Sequence, residues 1–193
     1  MIGEKGRIDV SDHYFLAFPV PQNIGQKLKK EADRIQSACV YRYWTDPGDY
    51  HVTYFFFGQT LSGQLQAVDA IMTDLAKETR PFVVTLSKIS WFGKKDRPRV
   101  VYAGFFESGA LDDLRRIGGR LLMERGFSIE KRPYHPHITL AKKWVSGNPF
   151  TNGAFHSDLS DLSWEMDRIV LYRVHPYEVP RYIPVKIFRF YGK

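Results

Sequence analysis

The tripeptide His-x-Thr occurs twice in this 193-residue chain, each time within a short apolar stretch. The first copy is His51-Val52-Thr53 and the second is His137-Ile138-Thr139, so the two lie nearly half the chain apart. Hydrophobic patterning predicts a strand and a helix before each copy. We therefore expect a duplicated unit whose two equivalent strands meet around an approximate two-fold axis.

The remaining pattern predicts an α+β fold with three helices. Ser62 and Ser108 are expected to cap the second and third helices, and Gly126 to end the third. No low-complexity run or Pro/Gly linker divides residues 1–193, which are expected to form one domain. The first helix, opened by Pro21, is expected to bury Ile24, Leu28, Ala32 and Ile35. Strands are predicted over 13–20, 41–45, 51–57, 82–91, 99–106, 137–144, 167–174 and 182–190, with loops over 93–98 and 148–161.

Alternation along a strand places the histidine and the threonine of each motif on one face. Imidazole titrates near neutrality, so one histidine can accept a proton while the other donates one. Threonine hydroxyls donate hydrogen bonds to phosphoryl oxygens. Two such pairs suit in-line displacement at phosphorus without a metal ion. The neighbouring residues Val52, Tyr54, Ile138 and Leu140 are expected on the opposite, packed face.

Basic side chains accompany these motifs, and the formal net charge of +7 suits an anionic partner such as RNA. Strict alternation puts Lys143 on the face of His137, and it puts Lys142 on the other face unless the strand bulges or ends. Both lysines are candidates for phosphate binding, and a solvated strand end is the simpler alternative.

Tyr43 and Trp44 either stack on a base or pack in the core. A second basic cluster, Lys94, Lys95, Arg97 and Arg99, either follows an RNA backbone or forms a solvated hairpin tip.

Composition excludes several other classes of protein. Cys39 is the single cysteine, so an intrachain disulfide and a multi-cysteine zinc cluster are ruled out. No stretch approaches the roughly 18–20 apolar residues of a membrane span, and the first residues lack a signal-peptide core. His135 and His137 form a nominal metal-ligand pair, but no carboxylate or third histidine stands at ligand spacing. We expect a cytoplasmic protein with no metal and no cofactor.

Three segments of the chain resemble a known family. They are residues 15–21, residues 44–58 with the first motif, and residues 134–142, which read Tyr-His-Pro-His-Ile-Thr-Leu-Ala-Lys. Their order and spacing are similar to the 2H phosphoesterase superfamily, and within it to the bacterial RNA 2',3'-cyclic phosphodiesterases, also called 2'-5' RNA ligases. Lys142 stands where this family often has arginine. Phe55 stands where it often has a small or basic residue, beside the first histidine.

The resemblance implies a bilobal fold with two antiparallel sheets around a central cleft. It implies hydrolysis of an RNA terminal 2',3'-cyclic phosphate to a 2'-phosphomonoester, with His51 as proton donor and His137 as proton acceptor. Thr53 and Thr139 would bind the phosphate, and reversal of the chemistry would join RNA ends through a 2'-5' bond. The implied partner is RNA or an oligonucleotide with that cyclic end. We expect a monomer that does not bind membranes.

Two other functions stay open at this point. The same site could act on another cyclic nucleotide or on a 2'-5' linked oligonucleotide. The chain could instead be a non-catalytic RNA-binding module, which the net charge supports equally well. The paired His-x-Thr motifs favour an enzyme, because phosphate binding alone is better served by arginine, lysine and backbone amides.

Overall fold

The computed structural model describes residues 13–95, 97–130, 132–147 and 157–192. The three predicted helices are present, and each predicted strand has a counterpart with bounds shifted by a few residues. Ser108 accepts a hydrogen bond from the Leu111 amide as the expected cap, whereas Leu61 rather than Ser62 is the residue before the second helix. The strands are β1 (His13–Pro19), β2 (Cys39–Trp44), β3 (His51–Gln59), β4 (Phe82–Lys94), β5 (Arg97–Phe105), β6 (His137–Gly147), β7 (Ser163–Met166), β8 (Arg168–Val174) and β9 (Tyr182–Arg189), and the helices are α1 (Gln22–Gln36), α2 (Ser62–Glu78) and α3 (Gly109–Glu124).

The strands form one curled antiparallel sheet in the order β7-β4-β5-β6-β3-β1-β8-β9, with β2 paired to β6. The α+β class is confirmed, but the two expected sheets are continuous with each other. They join because the two motif strands pair directly, through Val52 opposite Ile138. Outward from this seam, β3 is flanked by β1 and β6 by β5, and each flanking strand precedes a helix. This order agrees with the duplicated unit expected from the sequence.

Apolar helix faces cover the sheet and build the core. Helix α1 buries the four residues expected from its spacing, and Leu28 and Ile35 have no exposed surface. Full burial of such side chains contributes about 1.5–3 kcal/mol each. Below the motifs, Val52, Tyr54, Ile138 and Leu140 are all buried, as predicted. No helix in the described part of the chain is long and apolar enough to cross a membrane.

The predicted basic loop at 93–98 is mostly strand. Lys94 pairs with Arg97, so β4 and β5 continue almost to the tip of their hairpin. Gly93 has φ 103° at a register shift, a conformation that glycine adopts without a steric cost. Asp96 lies outside the described residues, as do residues 148–156 of the other predicted loop.

Strand β3 carries a bulge immediately after its threonine. Ala17 of β1 pairs with Thr53 and Leu16 pairs with Phe55, so Tyr54 is the extra residue. Tyr54 and Phe55 are consequently both buried, at 1% and 3% exposure. The bulge reverses the alternation, and Phe56 returns to the face of the motif with 63% exposure.

Strand β6 repeats this irregularity at the equivalent position. Tyr102 of β5 pairs with Thr139 and Val101 pairs with Ala141, so Leu140 is the extra residue. Leu140 and Ala141 are both fully buried. Lys142 therefore returns to the face of His137, where it lines the cleft with Thr139, and strict alternation does not hold here. Two similar bulges at matching positions extend the likeness between the two halves.

Gly118 lies where α3 crosses the first bulge. A Cβ at this position would stand 2.1 Å from the Tyr54 hydroxyl oxygen, which donates a 2.6 Å hydrogen bond to the Leu114 carbonyl. We expect Gly118→Ala to lower the free energy of unfolding by about 2–3 kcal/mol, because helix and tyrosine must separate. Gly109→Ala in the same helix is the control, since a Cβ there meets nothing within 4 Å. Urea denaturation measures both variants, and equal effects would contradict the close contact.

Candidate active site

The pairing of β3 with β6 places the two motifs side by side. Counting outward from the antiparallel pair at their centres, His51 lies beside Thr139 and Thr53 lies beside His137. The two histidines are thus diagonal to each other on one face, and diagonal positions on neighbouring strands are about 7–8 Å apart. The charge of His137 lowers the pKa of His51, which accords with this proximity.

His51 is fixed by hydrogen bonds at both ring nitrogens. Its Nδ1 lies 2.7 Å from the Asp49 carbonyl oxygen, and its Nε2 lies 3.1 Å from the Thr53 hydroxyl. A carbonyl only accepts, so Nδ1 donates and the neutral ring has its lone pair at Nε2. The ring contacts Phe15 and Tyr182, with centroids 5.0 Å away in both cases. Burial in these surroundings lowers the pKa of His51 to about 4, and the charges of His137 and Lys142 add to this effect.

His137 repeats the same backbone contact. Its Nδ1 lies 2.8 Å from the carbonyl oxygen of His135, again two residues earlier. The ring centroid is 5.0 Å from that of Phe92 and 5.4 Å from that of Tyr102. Burial lowers the pKa of His137; the hydrogen bond to the His135 carbonyl opposes this shift, and the charge of the His135 ring adds to it. In both histidines Nε2 is therefore the nitrogen left for proton transfer.

A cleft of about 390 Å³ opens above the motif strands. Of the residues predicted for the site, His51, Thr53, Thr139 and Lys142 line this cleft, whereas His137 and Lys143 are not among its lining residues. The other lining residues are His13, Phe15, Thr45, Phe56, Val174 and Tyr182. Hydroxyls, an imidazole and a cation thus meet in one space.

The two candidate lysines have different positions. Burial of the Lys142 amine lowers its pKa, and the charges of Arg181 and Lys143 lower it further. The Lys143 Nζ instead lies 4.8 Å from the centroid of the Tyr43 ring, and the Lys143 backbone has φ 61°. Trp44, the other aromatic considered for base stacking, packs edge-on against Tyr41.

Phe55 does not shape the pocket beside the first histidine, contrary to the sequence expectation. Because of the bulge, its ring is buried under the Arg115 guanidinium, whose carbon lies 3.7 Å from the ring centroid. Phe56 lines the cleft in its place. The consecutive apolar residues after each motif were the available signal for a break in the alternation.

Asp49 holds the first histidine in place, although no sequence motif singled it out. Its side chain is buried, and its carboxylate accepts hydrogen bonds from the backbone amides of Arg181, at 2.8 and 3.0 Å, and Tyr182, at 3.1 Å. Its carbonyl meanwhile accepts from His51. Asp49 thereby fixes the first histidine and the start of β9 together, across more than half of the chain.

Metal-ligating groups are sparse around this cleft. Within the described ranges, no group of three or more His, Cys, Asp or Glu side chains is placed to hold a metal ion. The Nε2 of His135 lies 3.0 Å from the Tyr102 hydroxyl, and the ring centroids of His135 and His137 are 6.4 Å apart. The nominal pair from the sequence is thus engaged with aromatic neighbours.

The chain is similar in sequence to known phosphoesterases. Residues 18–102 match the model of the LigT-like phosphoesterases. The chain is 32% identical over 183 residues to an RNA 2',3'-cyclic phosphodiesterase of Bacillus subtilis, covering 94% of this chain and 97% of the relative. It is 32% identical over 181 residues to an enzyme of the same name from Geobacillus stearothermophilus, covering 93% of this chain and 58% of that relative.

Two crystal structures share the fold. Escherichia coli LigT complexed with 3'-AMP superposes with a TM-score of 0.76 at 20% identity, covering 93% of this chain and 98% of LigT. A protein of Thermus thermophilus superposes with a TM-score of 0.75 at 22% identity, covering 94% and 99% of the two chains. The chain is therefore an enzyme that belongs to the LigT-like phosphoesterase family of the 2H superfamily.

Proposed function

We propose that this enzyme hydrolyses the 2',3'-cyclic phosphate at the end of an RNA to a 2'-phosphomonoester, without a metal ion. The observation that carries the proposal is the diagonal pair of histidines, each with Nδ1 tied to a backbone carbonyl and each beside a threonine. The names of the curated relatives and the 3'-AMP in the LigT complex support a nucleotide phosphate as the substrate.

The reaction needs one base and one acid on opposite sides of phosphorus. His137 takes a proton from water through Nε2 as the water oxygen forms a bond to phosphorus. The bond from phosphorus to the 3'-oxygen breaks, and His51 gives its Nε2 proton to that oxygen. The products are a 3'-hydroxyl and a 2'-phosphate, and the two histidines return to their starting states by proton exchange with solvent. The direction of these roles comes from the family resemblance.

The remaining site residues hold the phosphate between the imidazoles. Thr53 and Thr139 donate hydrogen bonds to its non-bridging oxygens, and Lys142 supplies a positive charge at the cleft wall. Lys143 contributes charge from outside the cleft. Because these cations also disfavour protonation of the histidines, the negative charge of the substrate is what raises the histidine pKa values and loads the proton on the acid.

The substrate is an RNA or oligonucleotide end, and the same site joins such an end to a 5'-hydroxyl oligonucleotide when that hydroxyl replaces water. Water is the abundant nucleophile, so hydrolysis dominates. We further propose that the enzyme works as a monomer in the cytoplasm, where its lone Cys39, which is buried, stays reduced.

Adenosine 2',3'-cyclic phosphate in EDTA tests this proposal. We expect full turnover in the chelator, because histidines and not a Lewis acid move the protons, and we expect the 2'-phosphate as product. Chromatography against both adenosine monophosphate isomers measures the result. Loss of the rate in EDTA with recovery on adding a divalent metal would contradict the mechanism, and the 3'-phosphate as product would contradict the assigned leaving group. Inertness together with cleavage of a 2'-5' linked oligonucleotide would point to the other substrate class.

A further inference from the structure

A second cavity of about 270 Å³ adjoins the catalytic cleft. The two cavities share Thr45, Lys142 and Tyr182 as a common wall. The far side of the second cavity is formed by Tyr43 and Arg181. A ligand that occupies the catalytic cleft can therefore continue into this space, which nothing in the proposed hydrolysis uses.

Cations surround the Tyr43 ring at the edge of the second cavity. The Lys143 Nζ lies 4.8 Å from the ring centroid, and the Arg181 guanidinium carbon lies 5.6 Å from it. An aromatic face attracts such cations through its quadrupole and leaves their N–H groups available as donors. The Arg181 backbone is fixed by its amide hydrogen bond to buried Asp49. The ring and the buried carboxylate thus hold cations in place without consuming their hydrogen-bonding capacity.

The positive charge of this cluster is offset only in part, by the carboxylate of Asp49, which raises the pKa of Lys142. Among the described residues, no carboxylate forms an ion pair with Lys142, Lys143 or Arg181. Two carboxylates stand in the cavity wall, but Asp49 accepts from backbone amides and Asp46 accepts from the Gly48 amide. Repulsion within the cluster is visible in the pKa of Lys142, which Arg181 and Lys143 both lower. An anion bound here would relieve that repulsion.

We propose that the cavity between Tyr43, Lys142 and Arg181 is a second phosphate subsite, which binds the 5'-phosphate group of the nucleotide whose cyclic phosphate is being opened. This inference rests on the proposed function and narrows its substrate class. In an RNA that group is the phosphodiester to the preceding nucleotide, so the enzyme favours oligonucleotide ends over cyclic mononucleotides. Arg181 suits this role because its planar fork of N–H donors matches two phosphate oxygens at once.

Three substrates with the same cyclic end test the subsite: adenosine 2',3'-cyclic phosphate, its 5'-phosphorylated form, and the dinucleotide ApA with a 2',3'-cyclic phosphate. We expect kcat/KM for both phosphate-bearing substrates to exceed that for the plain mononucleotide by roughly tenfold, the worth of one charge-assisted contact at a partly exposed site. Rising NaCl concentration should reduce this advantage, because the contact is between charges.

Arg181→Gln should reduce the advantage to about twofold or less and leave turnover of the plain mononucleotide unchanged, whereas Arg181→Lys should retain part of it. Both variants keep the backbone amide that binds Asp49. Arg120→Gln on the outer surface of α3 removes the same charge from a side chain with 63% exposure and should behave like the unaltered enzyme. An advantage that survives Arg181→Gln, or one shown by the dinucleotide but not by the 5'-phosphorylated mononucleotide, would overturn the subsite. Failure of the unaltered enzyme to open any of the three substrates would instead overturn the proposed function.

Discussion

Replacing His51 or His137 with alanine is expected to lower kcat for adenosine 2',3'-cyclic phosphate by roughly 10²–10⁴-fold, the usual worth of a positioned general acid or base. Each variant loses one of the two proton transfers that accompany bond exchange at phosphorus. The double variant should lose far less than the product of the single losses, because both groups act on one transition state. Initial rates at saturating substrate measure kcat for all three variants.

The matched control for this experiment is His175→Ala. His175 forms an ion pair with Glu178 and is not among the residues that line the catalytic cleft. The His175→Ala variant should turn over adenosine 2',3'-cyclic phosphate at the rate of the unaltered enzyme. Thr53→Val and Thr139→Val keep the shape of the strand face and remove one donor to phosphate each, so roughly 10- to 100-fold losses are expected, mostly smaller than those of the histidine variants. A folded histidine variant with near-normal turnover would remove that histidine from the mechanism.

The sequence predicted which side chains share the motif faces because that arrangement depends on local alternation. His51 with Thr53, and His137 with Thr139, need only two residues of regular strand each, and the intervening Val52 and Ile138 are buried as the period of two requires. The buried face of α1 could be predicted for the same reason, because its apolar residues recur at helical spacing. In both cases neighbours along the chain decide the outcome.

What the sequence did not predict depends on partners far along the chain. The bulges at Tyr54 and Leu140 arise where β3 meets β1 and β6 meets β5, and they move the residues immediately after them to the other face. The placement of Lys142 by strict alternation failed for this reason. The continuous sheet likewise depends on direct pairing of two strands that lie nearly half the chain apart.

The position of Arg181 at the site is still harder to predict from the local sequence. Arg181 has no motif around it, and it reaches the site because its amide binds the carboxylate of Asp49, 132 residues earlier. Asp49 itself could not be singled out, since nothing local distinguishes a buried acceptor of backbone amides from a solvated aspartate. Composition indicated an anionic partner, but only the fold shows where the positive charges converge.

The pH dependence should separate the free enzyme from its complex with substrate. The profile of kcat/KM reports ionisations of the free enzyme, and that of kcat reports those of the complex. The active form needs one protonated and one neutral histidine, so kcat/KM falls when both are neutral and again when both are charged. Burial lowers the pKa of His51 to about 4 and also lowers that of His137 from the ordinary 6.5. A lowered pKa means that the proton leaves at lower pH, so the descending limb of kcat/KM moves to the acid side of 6.5.

We therefore expect kcat/KM to be highest between about pH 4 and 6.5 and to fall about tenfold per pH unit above its upper limb. The two limbs belong to the pair of interacting histidines and not to either residue alone. In the complex the anionic phosphate raises both pKa values, so the limbs of kcat lie at higher pH and KM rises as the solution is made alkaline. Initial rates across the pH range with and without EDTA measure both profiles, and NMR titration of the imidazole protons measures the free enzyme directly. Coincident limbs for kcat and kcat/KM, or a descending limb of kcat/KM above 6.5, would contradict this account, because the histidines would then take up the catalytic proton without help from the substrate's charge.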